Sequence, residues 1–295
     1  MTLASLTDSQ HAEAPLLEQL DATFPLRQLV FARARTDVRE CGAGPTVVLL
    51  HGIGSGAASW LQVAQRLSGQ ARVVAWDAPG YGESTPLAVA QPRAEDYAQR
   101  LDQLLDGLGI QRCLLVGHSL GALTAMACAQ GPAAKRIEHL MLISPALGYG
   151  APQRRQRGLE VRATRRHNLE QYGTAGTAER RSHHLLSPRA SAMAQAWVRW
   201  NMARLNPQGY LQAVELLCGD DLLRFGRPAM PCEVHCGEDD AITVPEECRQ
   251  IAEHFGASFS LIPQAGHASP VEQPDAVAER ITHALKTPLK EYVHD

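Results

Sequence analysis

The stretch LLVGHSLGA, Leu114–Ala122, puts an apolar run directly before Gly117-His118-Ser119-Leu120-Gly121 and a helix-compatible run, LTAMACAQ, directly after it. A G-x-S-x-G at a strand-to-helix junction is the setting in which that motif marks a nucleophile. The turn is so tight that bulky neighbours would strike the adjacent strand and helix, which accounts for a glycine two residues to either side of Ser119. A serine placed there has its hydroxyl pushed above the sheet edge, at a helix N-terminus where amides favour a developing anion. Glycines that merely close a tight turn would look the same, so the motif needs partners.

A serine hydroxyl is a weak nucleophile until a base takes its proton. The base expected is a histidine on a loop, with a carboxylate fixing its tautomer. QAGHASPVEQP (264–274) offers His267, after a strand pattern and before the last helix pattern. HCGEDDAITVP (235–245) offers Asp239 and Asp240 just past another strand pattern. The chain order serine, acid, histidine sets all three at the carboxyl ends of strands, where open α/β sheets hold their sites.

The flanking chain has the matching rhythm. LRQLVFARAR and TDVRECG read as a hairpin over residues 26–41. TVVLLHG, RVVAWD, RCLLVGHS, EHLMLISPA, CEVHCGED and SFSLIPQAG read as strands, several of them continuously apolar and so buried on both faces. WLQVAQRLSG, EDYAQRLDQLLDGLG, LGALTAMACAQG, PEECRQIAEHFG and PDAVAERITHALK alternate with them as helices. The expected class is α/β, a mostly parallel sheet with helices on both faces. The pattern breaks at residues 151–226, which show helices and no strand signal. From Ala151 to Phe225 there are twelve arginines, no lysine and six acids, a local balance of +6 within a chain of net charge −3.

A second glycine-rich turn, VVLLHGIGSGAASW (Val47–Trp60), opens two readings. Gly52, Gly54 and Ala57 satisfy G-x-G-x-x-[GA], and Asp77 closes the next strand pattern where a dinucleotide fold would keep its ribose acid. His51 fits such a loop poorly, and no second nucleotide feature follows. CEVHC has the residue types of a metal cluster, but in a strand Cys232 and Cys236 stand about 13 Å apart at roughly 3.3 Å per residue, so ordinary core packing is expected there.

Composition narrows the class further. The 295 residues, 45% hydrophobic, are enough for a substantial core. The near-neutral charge gives no support for a nucleic-acid partner, and no window is apolar enough to span a membrane. MTLASLTDSQHAEAPLLEQL lacks a basic region followed by an apolar one, so it reads as an arm or short helix and not as a secretory signal. Seven cysteines, an odd number scattered through apolar runs, point to reduced thiols and a cytoplasmic protein. The expected organisation is an arm over 1–25, a core of 26–150 and 227–295, and a helical insertion over 151–226.

HGIG (51–54), DAPGYGES (77–84), GHSLGA (117–122), GEDDAITVP (237–245) and AGHASPVEQP (265–274) together resemble the α/β-hydrolase fold superfamily over about residues 26–287. The resemblance implies a catalytic triad of Ser119, Asp240 and His267. It implies an oxyanion hole made by the amides of Ile53 and Leu120, a few kcal/mol per donor, and a helical cap over the site. It also answers the question of the second glycine turn: the loop serves an oxyanion, not a phosphate, and Asp77 ties down DAPGYGES through main-chain amides. His139, His235, His254 and His283 read as structural, and Glu272 as a capping or pairing residue. The segment around RRSHHLLSPRASAMAQAWVRWNMARLNPQGYLQAVELLCGDDL loosely resembles the cap of bacterial enol-lactone hydrolases of aromatic catabolism. Trp197 and Trp200, one helical turn apart, are candidates to line the acyl pocket or to pack the insertion onto the core, and His118, packed beside the serine turn, is a further substrate-binding candidate. The arginine excess fits either solvated cap helices or a carboxylate-bearing substrate.

The implied activity is serine hydrolysis of a small-molecule ester or enol-lactone by a monomer or homodimer, with no metal or organic cofactor required. Rivals on the same scaffold are hydrolysis of carbon–carbon bonds in vinylogous diketones, cofactor-free perhydrolysis or haloperoxidation, and a non-catalytic small-molecule receptor.

Overall fold

The computed structural model describes residues 12–31 and 34–286. Of the arm expected over 1–25, residues 1–11 lie outside the described residues, as do 287–295 of the expected core; Ala14–Thr23 forms helix α1.

Two antiparallel strands, β1 (Leu26–Phe31) and β2 (Ala34–Cys41), lead into β3 (Thr46–Leu50). Then follow helix α2 (Leu61–Leu67), β4 (Arg72–Trp76), α3 (Ala94–Gly107), β5 (Cys113–His118), α4 (Gly121–Ala129) and β6 (Ile137–Ile143). After β6 the chain runs through α5 (Arg155–Arg181), α6 (Ala192–Ala203) and α7 (Pro207–Gly219) before returning to the sheet as β7 (Cys232–Gly237). Helix α8 (Pro245–Phe255), β8 (Ser258–Ile262), the short α9 (Ser269–Glu272) and α10 (Pro274–Lys286) complete the described chain. Helix α5 is bent where Gly173 leaves helical geometry at φ 62°.

The strands form one sheet in the order β1-β2-β4-β3-β5-β6-β7-β8, parallel from β4 to β8, with β2 antiparallel to β4. Side chains of a strand alternate between its faces, and this divides each continuous apolar run between two cores. Val48, Leu50, Leu115, Leu140 and Leu142 enter one core with α3, α4 and α8. Val47, Leu49, Leu114, Val116, Met141 and Ile143 enter the other with α2 and α10.

The chain visits β4 on one side of β3 and then β5 on the other. This reversal opens a crevice outside the carboxyl ends of β3 and β5, the place where open α/β sheets bind ligands. The loop HGIG leaves β3 there, and the Ser119 turn leaves β5.

Candidate active site

Ser119 has φ 53°, a left-handed conformation that costs a non-glycine residue about 1–3 kcal/mol and persists only where its surroundings impose it. Here they do. The Ser119 N–H donates to Ile143 O (3.0 Å), and its carbonyl accepts from Ala122 N and Ala146 N (3.1 Å each). The flanking glycines are required by contact: a Cβ on Gly117 would lie 2.8 Å from Gly121 O, and one on Gly121 would lie 2.7 Å from Leu50 O. The serine is only 5% exposed.

Its hydroxyl meets His267 Nε2 at 2.9 Å, and His267 Nδ1 meets Asp240 Oδ2 at 2.9 Å. The second contact makes Nδ1 the donor, so Nε2 is left to accept from Ser119 Oγ–H. Asp240 is held by its own turn: Oδ1 accepts from Ile242 N (2.8 Å) and Thr243 N (3.0 Å), and Thr243 Oγ1 lies 2.9 Å from Oδ2. Burial pushes the Asp240 carboxyl up. The charge and hydrogen bond of His267 and the two amides outweigh that and hold its pKa at about 2. Asp239, one residue earlier, instead pairs with Arg189 at 3.7 Å.

Two further histidines brace these loops. His118 Nε2 donates to His267 O (2.8 Å). His51 Nδ1 lies 2.8 Å from Gly52 O, and its Nε2 accepts from Ala78 N (3.1 Å), which requires a neutral ring. Burial lowers the pKa of His51 to about 4; burial and then the neighbouring His267 lower that of His118 to about 3. Glu272 joins two segments, accepting from Gly266 N (2.9 Å) and Ser187 N (2.8 Å), and burial raises its pKa.

The HGIG loop sits against the serine: a Cβ on Gly52 would lie 2.9 Å from Ser119 Cβ. Tyr81 Oη donates to Ile53 O at 2.7 Å and fixes that peptide. Among the described residues neither the Ile53 nor the Leu120 N–H donates to a protein acceptor. Asp77 differs from its expected role. Its carboxylate accepts from Ala57 N (2.8 Å) beyond HGIG, not from DAPGYGES. Asp37 Oδ2 holds Glu83 N of that second loop instead, at 3.0 Å. Asp37 on β2 and Asp77 after β4 stand side by side, Asp77 N donating to Asp37 O at 2.8 Å, and the two carboxylates divide the loops between them.

Ser119 and His267 open into a cavity of about 50 Å³. Its floor is Gly52, Ile53, Ser59, His118 and Val271; its wall comes from the segment between β6 and β7 through Arg165, Arg181, Leu185, Val198, Asn201 and Met202. His118 thus lines the cavity. Trp197 and Trp200 do not. Trp197 is fully buried among Ala194, Ala265 and Val271, and it stacks on Trp200 with ring centroids 4.8 Å apart. Trp200 faces a separate cavity beside Asp37 and Arg204. A helix turns about 100° per residue, so Val198, Asn201 and Met202, spaced i, i+3, i+4, form the face that meets the serine, and the tryptophans lie one step round from it.

Elsewhere, the cysteines of CEVHC are a half-buried Cys232 and a buried Cys236, all seven cysteines are free, and among the described residues no cluster of three or more His, Cys, Asp or Glu is placed to hold a metal ion. His235 contacts Ser260 Oγ and Glu233, which also meets His139. Asp220 of the acidic pair is buried, where it caps α3 through Ala94 N and pairs with Arg224. Among the described residues no helix is long and apolar enough to cross a membrane.

Comparison with known proteins agrees with this architecture. Residues 47–280 match the alpha/beta hydrolase family. A 2-hydroxy-6-oxononadienedioate/2-hydroxy-6-oxononatrienedioate hydrolase of Pseudomonas putida is 36% identical over 111 residues, 36% of this chain and 38% of that protein. At this level of identity the chain spans less than half the length of the curated relatives it matches. An enol-lactonase from Burkholderia xenovorans superposes with TM-score 0.78 at 24% identity, covering 88% of this chain and 100% of that one. A thermophilic esterase from Thermogutta terrifontis has the same TM-score and identity, covering 88% and 98%. These two likenesses speak for the fold.

Proposed function

The chain belongs to the alpha/beta hydrolase family, and from that premise we propose that it is a serine hydrolase of small-molecule carboxylic esters or enol-lactones. The observation that carries the reading is the unbroken chain Ser119 Oγ, His267 Nε2, His267 Nδ1, Asp240 Oδ2, with 2.9 Å at each hydrogen bond, set at the mouth of a largely apolar cavity.

The substrate carbonyl stands over Ser119 with its oxygen towards the amides of Ile53 and Leu120. His267 Nε2 takes the serine proton as the Oγ–C bond forms. Asp240 stabilises the resulting imidazolium without itself being protonated. The two amides hold the tetrahedral oxyanion. The imidazolium then gives its proton to the leaving oxygen as the C–O bond breaks. Water, deprotonated by His267, attacks the acyl-serine, and the proton returns to Ser119 as the acid product leaves. Residues 151–226 act as a cap that shuts water out of the cavity during these steps.

A second reading is hydrolysis of a carbon–carbon bond. It is favoured by the 36% identity to the Pseudomonas putida hydrolase over the shared segment. The two readings share Ser119 and His267 and differ in the leaving atom.

Intact-mass spectrometry after treatment with a fluorophosphonate, with Ser119→Ala as control, tests the nucleophile. A single adduct that is absent in the variant is expected. Turnover of p-nitrophenyl esters or lactones by the wild type should fall roughly 10,000-fold or more in Ser119→Ala. Variant activity near that of the wild type would remove Ser119 from the mechanism. An adduct without ester or lactone turnover would favour the carbon–carbon reading.

A further inference from the structure

Most of the arginines between β6 and β7 have a partner on the protein. Arg154 meets Glu247, Arg157 meets Glu160, Arg162 and Arg166 share Glu215, Arg189 meets Asp239, Arg199 meets Glu179, and Arg224 meets Asp220 and Glu95. Arg180 and Arg204 lie over the rings of Tyr172 and Trp200. These account for the local basic excess as helix-surface and packing charges.

Arg165 and Arg181 are the exceptions that line the cavity of Ser119. Both are half-buried. Arg165 Nη1 donates to Tyr210 Oη at 3.0 Å, and neither arginine has an ion pair among the described residues. They also face each other's charge: burial, and then Arg165 beside it, push the pKa of Arg181 down. Two guanidiniums in one cavity, whose other lining residues include Ile53, Leu185, Val198, Met202 and Val271 and offer no acid, are costly unless an anion joins them. Guanidinium suits one anion shape well, the planar carboxylate gripped in parallel hydrogen bonds.

We infer that Arg165 and Arg181 form an anion subsite that selects substrates bearing a free carboxylate at the end of the group bound under α5 and α6, away from the scissile bond. The inference rests on the serine-hydrolase reading for its catalytic consequence, and its binding consequence stands apart from it. The substrate class is then the monoester or enol-lactone of a dicarboxylic acid. Its product is a dicarboxylate, held by the same two arginines until the wall opens.

The test compares mono-p-nitrophenyl glutarate with p-nitrophenyl valerate, which has the same number of carbons and no charge. The wild type should prefer the anionic ester by about tenfold or more in kcat/KM, the scale of a charge-assisted hydrogen bond. That ratio should fall at least fivefold in Arg165→Met and Arg181→Met, whatever the absolute rates. Arg181→Lys, which keeps the charge and loses the fork, should retain more of it, and Arg157→Gln should leave it unchanged. Equal turnover of the two esters by the wild type, or a ratio untouched in both methionine variants, overturns the subsite. Glutarate should also raise the melting temperature of Ser119→Ala protein in a manner lost in the Arg181→Met double variant. If no ester or lactone is turned over while this stabilisation holds, the ester-hydrolase reading fails and the subsite stands. If glutarate gives no stabilisation beyond that of sodium chloride at equal ionic strength, the subsite fails.

Discussion

Ser119, His267 and Asp240 stand on turns closed by main-chain amides and glycines, whereas Val198, Asn201, Met202, Arg165 and Arg181 reach the same cavity from helices held by packed side chains and ion pairs. The floor is therefore set by main chain and the wall by side chains. On the floor, a Cβ added at Gly52, Gly117 or Gly121 would lie within 3 Å of a neighbouring atom. A wall position is set by which face a helix turns inward, and a side chain there can change while the helix stays. Chemistry is fixed by the first kind of constraint and selectivity is open through the second.

The comparison can be broken most forcefully at the two adjacent acids. Asp240→Asn leaves the shape of the floor but removes the acceptor that fixes the His267 tautomer, so kcat should fall roughly 1,000- to 10,000-fold. Asp239→Asn removes only the ion pair with Arg189, so kcat should stay within about threefold. Steady-state kinetics on one ester decide it, and equal losses would erase the distinction between the turn acid and its neighbour.

Next in size is Trp197→Ala, which empties a fully buried site where α6 meets the core. It should cost about 3–5 kcal/mol of unfolding free energy in urea. The variant protein that remains folded should still form the Ser119 adduct, since the ring does not touch the cavity.

A smaller contrast uses two glycines. Gly121→Ala puts a methyl 2.7 Å from the Leu50 carbonyl and should cost about 1–3 kcal/mol. Gly219→Ala, at the end of α7 with open space around it, should be neutral or stabilise by up to about 1 kcal/mol.

A contrast spread over a range of pH sharpens the floor's electrostatics. Folded His51 and His118 stay neutral down to about pH 4 and about pH 3, whereas in the unfolded chain they protonate near pH 6.5. The unfolded state binds more protons in that window, so stability is fully present above about pH 6.5 and declines as the pH falls. Asp240, held at about 2, adds a further loss as the pH falls from about 4 towards 2. His118→Asn should remove one proton's worth of slope, about 1.36 kcal/mol per pH unit, between pH 6 and 4. Urea denaturation across that range measures it, and an unchanged slope would mean that the His118 ring is not held neutral.

What could be read before any coordinates follows the same division. The continuous apolar runs of β3, β5 and β6 announce strands buried on both sides, and the two glycine turns after β3 and β5 carry their geometry in short sequence. Asp240 also has a local signal: a carboxylate whose own next amides, at Ile242 and Thr243, fold back onto it, a turn that aspartate favours. Thr243 carries no such local signal, because its contacts to Ser144 O and His267 come from loops distant in sequence. The wall was less legible. WVRWNMA shows a helix with two faces, but which face turns inward depends on the packing of α6 against α9, and the phase differs by one residue between the tryptophans and the cavity-lining face. Likewise, the arginine count of the segment says nothing of which arginines lack an acid and which two of those reach the cavity, because acid partners come from α3, α7 and α8 as readily as from α5 itself.

Glu272 gives the floor and the wall a common joint. One carboxylate accepts both from Gly266, the residue before His267, and from Ser187, in the bend that leads from α5 to α6. A single side chain thus rivets the loop that carries His267 to the segment that walls the cavity, and a substitution at Glu272 would be felt on both sides of the site at once.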